Sequence, residues 1–303
     1  MASKLPGLLA IEGMTKAQVE GLLDRAAQLG EPSLEAGGGP RPLEGRVVAN
    51  LFFEDSTRTR SSFEIAAKRL GAEVLNWTTK GSSVSKGETL LDTVRNIDAM
   101  GPQVIVMRHA SSGAAALAAR HTRAAVVNAG DGTHEHPSQA LLDAFTLRRH
   151  LGALEGKRVL IVGDILHSRV ARSNLRCLTL LGAKVALCGP PTLVPKEMAD
   201  LGAELSFDLD EAMEGADAVM MLRVQLERQV DAMFPSPREY GRRWGLTRER
   251  ADRLPEKVKV LHPGPMNRNV EIATQVADGP RSLILEQVHH GVAVRMAILE
   301  ACA

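Results

Sequence analysis

Residues 52–62 read Phe-Phe-Glu-Asp-Ser-Thr-Arg-Thr-Arg-Ser-Ser, so Ser56, Thr57, Arg58 and Thr59 set three hydroxyls and a guanidinium side by side. That combination suits a small anion: hydroxyls donate single hydrogen bonds, and a guanidinium fork matches two anion oxygens at once. The flanks say where the cluster sits. Val47 to Phe53, apolar but for Asn50, reads as a buried strand, and Phe63, Ala66, Ala67 and Leu70 recur at helical spacing before Gly71. Ser56 to Thr59 therefore open a helix, whose unpaired N–H groups and positive dipole end attract the same anion. One Ser or Thr at such a join would be an N-cap and nothing more. A Ser-Thr-Arg-Thr run exceeds what capping requires.

Further candidates lie at the ends of other apolar runs. Strand-like segments at 47–53, 103–107, 124–128, 158–162, 184–188, 217–222 and 258–261 alternate with helical ones. This alternation predicts an α/β protein with mostly parallel sheets flanked by helices, in which ligands gather outside the carboxyl ends of the strands. Arg108 and His109 follow one run, Gly132 to Pro137 with His134 and His136 another, and Gly163-Asp164 with Arg169 a third. Arg223-Val224-Gln225 and His262-Pro263-Gly264-Pro265 follow two more. Basic or imidazole groups at nearly every end predict a cleft for a small polyanion.

Composition fits an ordinary globular protein. The chain has 303 residues, 44% of them hydrophobic, and a formal net charge of +1, enough to bury a large core in two domains. Near-neutral charge gives no broad drive toward nucleic acid or anionic membrane, and 3% aromatics is too few for base-stacking platforms. Met1 to Ala10 lacks a leader pattern and no stretch approaches the ~20 apolar residues of a membrane helix, so cytoplasmic residence is expected. Cys177, Cys188 and Cys302 lack metal-type spacing and are expected to be structural thiols.

Gly37-Gly38-Gly39-Pro40 reads as a surface turn, and the helix from Pro137 to His150 as the joint between domains. The Val162–Arg169 stretch follows a strand but lacks the second and third glycines of a dinucleotide fingerprint. His134-Glu135-His136 has no third ligand nearby, so His136 is read as a hydrogen-bond donor and no metal or cofactor is expected. Neither a Walker motif nor a Gly-x-Ser-x-Gly elbow occurs.

Five segments taken in order carry a resemblance: Ser56-Thr57-Arg58-Thr59-Arg60, Lys86-Gly87-Glu88-Thr89, Met107-Arg108-His109, His136-Pro137-Ser138-Gln139 and His262-Pro263-Gly264-Pro265. Together they resemble the aspartate/ornithine transcarbamoylase family. The His-Cys-Leu-Pro segment and Ser-Met-Gly loop of its ornithine branch are absent, and Arg223-Val224-Gln225 stands where the aspartate branch carries Arg-x-Gln. A guanidinium suits a dicarboxylate and repels an ammonium side chain. The chain departs from some members, which read His-Pro-Leu-Pro-Arg, in Gly264 and an added Met266-Asn267.

The resemblance implies direct transfer of the carbamoyl group of carbamoyl phosphate to the α-amino group of L-aspartate, a step of pyrimidine synthesis without a covalent enzyme intermediate. It implies that Ser56, Thr57, Arg58 and Thr59 hold the phosphate, and that Thr59, Arg108 and His136 polarise the carbonyl. Gln139 would bind the carbamoyl amide; Arg169, Arg223 and Gln225 the two carboxylates of aspartate; and Gly264 and Pro265 the amide and amine hydrogens. Ser83 and Lys86 would reach a neighbouring subunit's site, making the competent form a homotrimer with shared active sites. It further implies a carbamoyl phosphate domain over 1–138, with 288–303 packing back on it, and an aspartate domain over 139–287. Closure between domains would bind carbamoyl phosphate before aspartate. The residues alone leave open a relative using another amine, a non-catalytic anion binder, and association with a regulatory chain or a dihydroorotase-like partner.

Overall fold

The computed structural model describes residues 4–36, 40–78, 87–224 and 236–303. The expected turn at Gly37–Gly39 and the candidates Ser83, Lys86 and Gln225 lie outside them. The chain divides into two compact units, Met1–Leu142 with Val288–Ala303, and Asp143–Gln287.

In the first unit the order is β1 (Gly7–Leu8), α1 (Lys16–Ala36), β2 (Val47–Phe52), α2 (Thr57–Arg69), β3 (Glu73–Thr78), α3 (Leu90–Ala99), β4 (Val104–His109), α4 (Ala114–Ala119) and β5 (Ala125–Asp131). The helix α5 (Pro137–Leu151) then carries the chain across the unit boundary. All pairings are parallel, in the order β1-β5-β4-β2-β3. Beneath the sheet Ala49, Leu51, Ile105, Met107 and Val126 pack with Val94 and Ile97 of α3 and with Ala115 and Ala118 of α4. Each large apolar side chain buried this way contributes about 1.5–3 kcal/mol.

The second unit contains β6 (Arg158–Val162), α6 (Arg169–Leu180), β7 (Lys184–Cys188), β8 (Glu204–Ser206), α7 (Leu209–Ala212), β9 (Ala218–Met221), α8 (Pro237–Trp244), α9 (Arg248–Arg253), β10 (Lys259–Leu261) and α10 (Thr274–Ala277). Its sheet is also parallel, in the order β10-β9-β6-β7-β8. Tyr240 and Trp244 of α8 join Leu160, Val162, Val219, Met221 and Val260 in one core. The last helix, α11 (Ile284–Cys302), returns to the first unit, where Glu300 forms a two-pronged pair with Arg25 and the Arg295 guanidinium lies 5.1 Å above the Phe63 ring.

Three strands escape the hydrophobic pattern. β1 and β8 are too short to show a period, and β3 is an edge strand whose side chains are exposed or half-buried. Two others run further than their apolar cores, β4 through Arg108 and His109 and β5 through Gly130 and Asp131. Between them the register slips, Met107 facing Asn128 but His109 facing Asp131, so β5 carries an extra residue beside Arg108. Such bulges re-aim side chains next to functional sites. Among the described residues no helix is long and apolar enough to cross a membrane.

Candidate active site

Both sheets are doubly wound. In the first, β3 lies on one side of β2 and β4 on the other, so the winding reverses between β2 and β4. A crevice forms outside the carboxyl ends of strands at such a reversal. Ser56 to Thr59 follow β2, Arg108 is within the end of β4, and His136 and Gln139 follow β5, the next strand over. Three adjacent strands thus bring most of the candidates for the phosphate and carbamoyl group to one edge.

Ser56 occupies the N-cap position of α2 with extended backbone, yet its side chain makes no capping hydrogen bond. By contrast Thr89, Ser168, Ser236 and Thr247 all accept a backbone N–H at the starts of α3, α6, α8 and α9. The Ser56 hydroxyl, unlike those four side chains, is thus not spent on capping its own helix. Thr57 and Arg58 are exposed and Thr59 is buried. Gly71, at φ +87°, gives the left-handed residue that stops the helix.

Arg108 is anchored where it stands. Its Nη2 donates to Glu54 Oε1 at 2.9 Å and its Nη1 to the Ala129 carbonyl at 3.4 Å, while the Phe53 N–H donates to the Arg108 carbonyl at 2.9 Å. Beside it, His109 accepts the Ser111 N–H on Nδ1, leaving its proton on Nε2. Burial lowers the His109 pKa against the opposing pull of Asp131 and Glu54, so the ring packed 5.2 Å from Phe53 is mainly neutral at neutral pH.

His136 stands at the entry of α5 and is 4% exposed, its carbonyl accepting from the N–H groups of Gln139 and Ala140. The loop before it is braced by Asp131, which takes Gly113 N–H at 2.7 Å, Asn128 Nδ2 at 2.7 Å and Glu135 N–H at 3.2 Å. Glu135 points back, accepting the N–H groups of Ile11 and Glu12. The sequence shows no third ligand beside His134 and Glu135, but the fold corrects that reading: among the described residues Glu12 joins them, the three placing ligand atoms within 4.8 Å of one another. His134 Nδ1 lies 3.1 Å from Asp131, so these contacts make the grouping a loop brace.

In the second unit the winding reverses between β6 and β9. Arg169, only 6% exposed, opens α6 just after β6, where Ser168 caps the helix by accepting Ala171 N–H at 3.1 Å. Arg223 follows β9 and is half-buried, and His262 to Pro265 follow β10. Gly264 has φ +63° and precedes a cis Pro265. The aspartate candidates Arg169, Arg223, Gly264 and Pro265 thus share one edge of this sheet. Sequence reasoning assigns no role to Glu54, Asn267 or Glu271, all of which bond to site segments. The signal for Glu54 was a carboxyl group two residues before a cluster of anion donors.

Residues 7–149 match the family described as aspartate/ornithine carbamoyltransferase, carbamoyl-P binding domain, and residues 155–302 match its Asp/Orn binding domain. The aspartate carbamoyltransferase catalytic subunit of Myxococcus xanthus (strain DK1622) is 64% identical over 298 residues, spanning 97% of this chain and 98% of the relative. That of Anaeromyxobacter sp. (strain K) is 56% identical over 292 residues, spanning 96% and 93%. Among solved structures, aspartate transcarbamoylase from Trypanosoma cruzi in complex with carbamoyl phosphate and aspartate is similar with a TM-score of 0.88 at 32% identity, covering 98% of this chain and 97% of that one. The same enzyme in complex with N-(phosphonacetyl)-L-aspartic acid gives 0.89 at 33% identity, covering 99% and 97%. Likeness that runs nearly end to end through both sheets leaves one placement: the chain belongs to the aspartate/ornithine carbamoyltransferase family.

Proposed function

We propose that the chain is an aspartate carbamoyltransferase, forming N-carbamoyl-L-aspartate and phosphate from carbamoyl phosphate and L-aspartate in pyrimidine synthesis. The observation that carries this reading is the sorting of donors: hydroxyls, guanidinium and imidazole at the reversal of one sheet, and two arginines at the reversal of the other. The first set fits a phosphate joined to a carbonyl, and the second fits a dicarboxylate.

Ser56, Thr57, Arg58 and Thr59, with the first turn of α2, hold the phosphate. Arg108 spans phosphate and carbonyl oxygen, and with Thr59 and His136 stabilises the charge that grows on that oxygen as the amine attacks. Gln139 accepts the carbamoyl amide. A C–N bond forms, the C–O bond to phosphate breaks with its electron pair leaving on the phosphate, and the proton lost by the amine passes to that departing phosphate. Phosphate is a good leaving group, so no covalent enzyme intermediate is needed, and the protein supplies position and charge. Arg169, Arg223 and Gln225 bind the aspartate carboxylates, with Gly264 and Pro265 receiving amide and amine hydrogens. Residues 1–138 with 288–303 serve as the carbamoyl phosphate domain and 139–287 as the aspartate domain, a division drawn inside α5 shortly before the Leu142/Asp143 boundary of the compact units, and carbamoyl phosphate binds first. By family resemblance the enzyme is a cytoplasmic homotrimer in which Ser83 and Lys86 serve a neighbour's site.

Incubating the purified chain with carbamoyl phosphate and either L-aspartate or L-ornithine, and identifying the product, tests the reading. Carbamoyl aspartate alone is the expected result. Citrulline alone would keep the phosphate site and overturn the acceptor assignment.

A further inference from the structure

Met266-Asn267 sits in a turn closed by its own polar contacts. His262 Nδ1 accepts Gly264 N–H at 2.8 Å, so the ring proton is on Nε2, which lies 3.2 Å from Glu271 Oε1. The same oxygen accepts the Asn267 N–H at 2.5 Å. One buried carboxyl oxygen thus joins the two ends of the 262–267 turn, with His262 2% and Glu271 0% exposed. From there the Asn267 side chain reaches out of the turn, Nδ2 donating to the Val224 carbonyl at 3.0 Å, next to Arg223. In the other direction His262 N–H donates to Gln287 Oε1, Gln287 Nε2 to Asp143 Oδ1, and Asn174 Nδ2 to Asp143 Oδ2. Asn174 is on α6, the helix that Arg169 opens.

We propose that Asn267 and Glu271 are positioning residues for the acceptor pocket, fixing the Gly264–Pro265 turn against the Arg223 segment so that both meet one dicarboxylate at its correct length. The proposal rests on the reading of these residues as aspartate-binding. Guanidinium–carboxylate pairs depend on two parallel bonds, and a small displacement of either wall costs both. Glu271 holds the turn internally and Asn267 sets its distance from the β9 end. The bonds of the Asn267–Glu271 strut all lie in the second unit, so of the carbamoyl phosphate contacts only the amide hydrogens at the Gly264–Pro265 turn are near it, and the phosphate and carbonyl contacts are untouched.

Steady-state kinetics of Asn267→Ala and Asn267→Asp test this. Loss of one neutral hydrogen bond raises KM for aspartate roughly 3- to 10-fold in Asn267→Ala. Asn267→Asp keeps the volume but turns an oxygen toward the Val224 carbonyl, so its KM for aspartate rises further. In both variants KM for carbamoyl phosphate rises less than KM for aspartate, and the thermal midpoint falls by no more than the few degrees that one lost hydrogen bond accounts for. An unchanged KM for aspartate, or a parallel rise in both KM values with a lowered midpoint, overturns the proposal. A wild-type chain that makes no carbamoyl aspartate overturns the underlying reading and this proposal with it, a result visible before any variant is compared.

Discussion

Arg108 has two demands on one guanidinium. Its Nη2 is committed to Glu54 and its Nη1 to Ala129, with its side chain 13% exposed. That anchoring keeps the group oriented before substrate arrives, which is what electrostatic catalysis requires. Arg108→Ala is expected to lower kcat about 10²- to 10³-fold, measured as carbamoyl aspartate formed at saturating substrates, with circular dichroism unchanged. The place of Arg108 at a strand end is legible because a basic residue closes an apolar run. The role of Glu54 is not, since its partner is 54 positions away and carboxyl groups are common next to Ser and Thr. Cys177, Cys188 and Cys302 are all buried, and burial pushes the Cys188 and Cys302 thiols up to about 12, as befits structural thiols.

At the scale of elements, polar side chains do work that apolar periodicity cannot announce. Asp210, in the first turn of α7, is held by both prongs of Arg250 and by Arg253, both on α9, tying two short helices together. The Arg250 hydrogen bond lowers the Asp210 pKa below the ordinary carboxylate range. A depressed folded-state value stabilises the protein above the unfolded pKa, near 3.9, and the benefit is lost as pH falls through the folded value. Asp210→Asn is therefore expected to cost roughly 0.2–1 kcal/mol at pH 7, the range of solvent-screened pairs. Urea midpoints should show that difference shrink as pH falls below about 3.9 and vanish once it has passed through the lower folded-state value. Most central strands are legible as continuous apolar runs, β6 and β7 with their observed ends. β3 is not, because an edge strand needs no buried face, and the polar ends of β4 and β5 are hidden by the chemistry they carry.

The molecule as a whole depends on strand order, which no local pattern reveals. Alternation predicts parallel sheets, but which strands are neighbours decides which loops meet, and only the fold places Arg108 between the Ser56 cluster and His136. The proposed trimer is testable at this scale. Hybrids reassembled from Arg108→Ala and Lys86→Ala chains should regain part of the lost activity if Lys86 serves a neighbour's site, and hybrids as inactive as their parents would count against sharing. The two units also share one winding pattern: leaving out β1 and β8, strands run fourth, third, first, second in each. On the proposed assignment, the groups that hold the phosphate and polarise the carbonyl stand at the strand ends of one sheet, and those that grip the acceptor's carboxylates stand at the strand ends of the other. Change in the second set can therefore retarget the enzyme to a new amine while the leaving-group chemistry is inherited intact, so new acceptors are within reach of loop exchange alone.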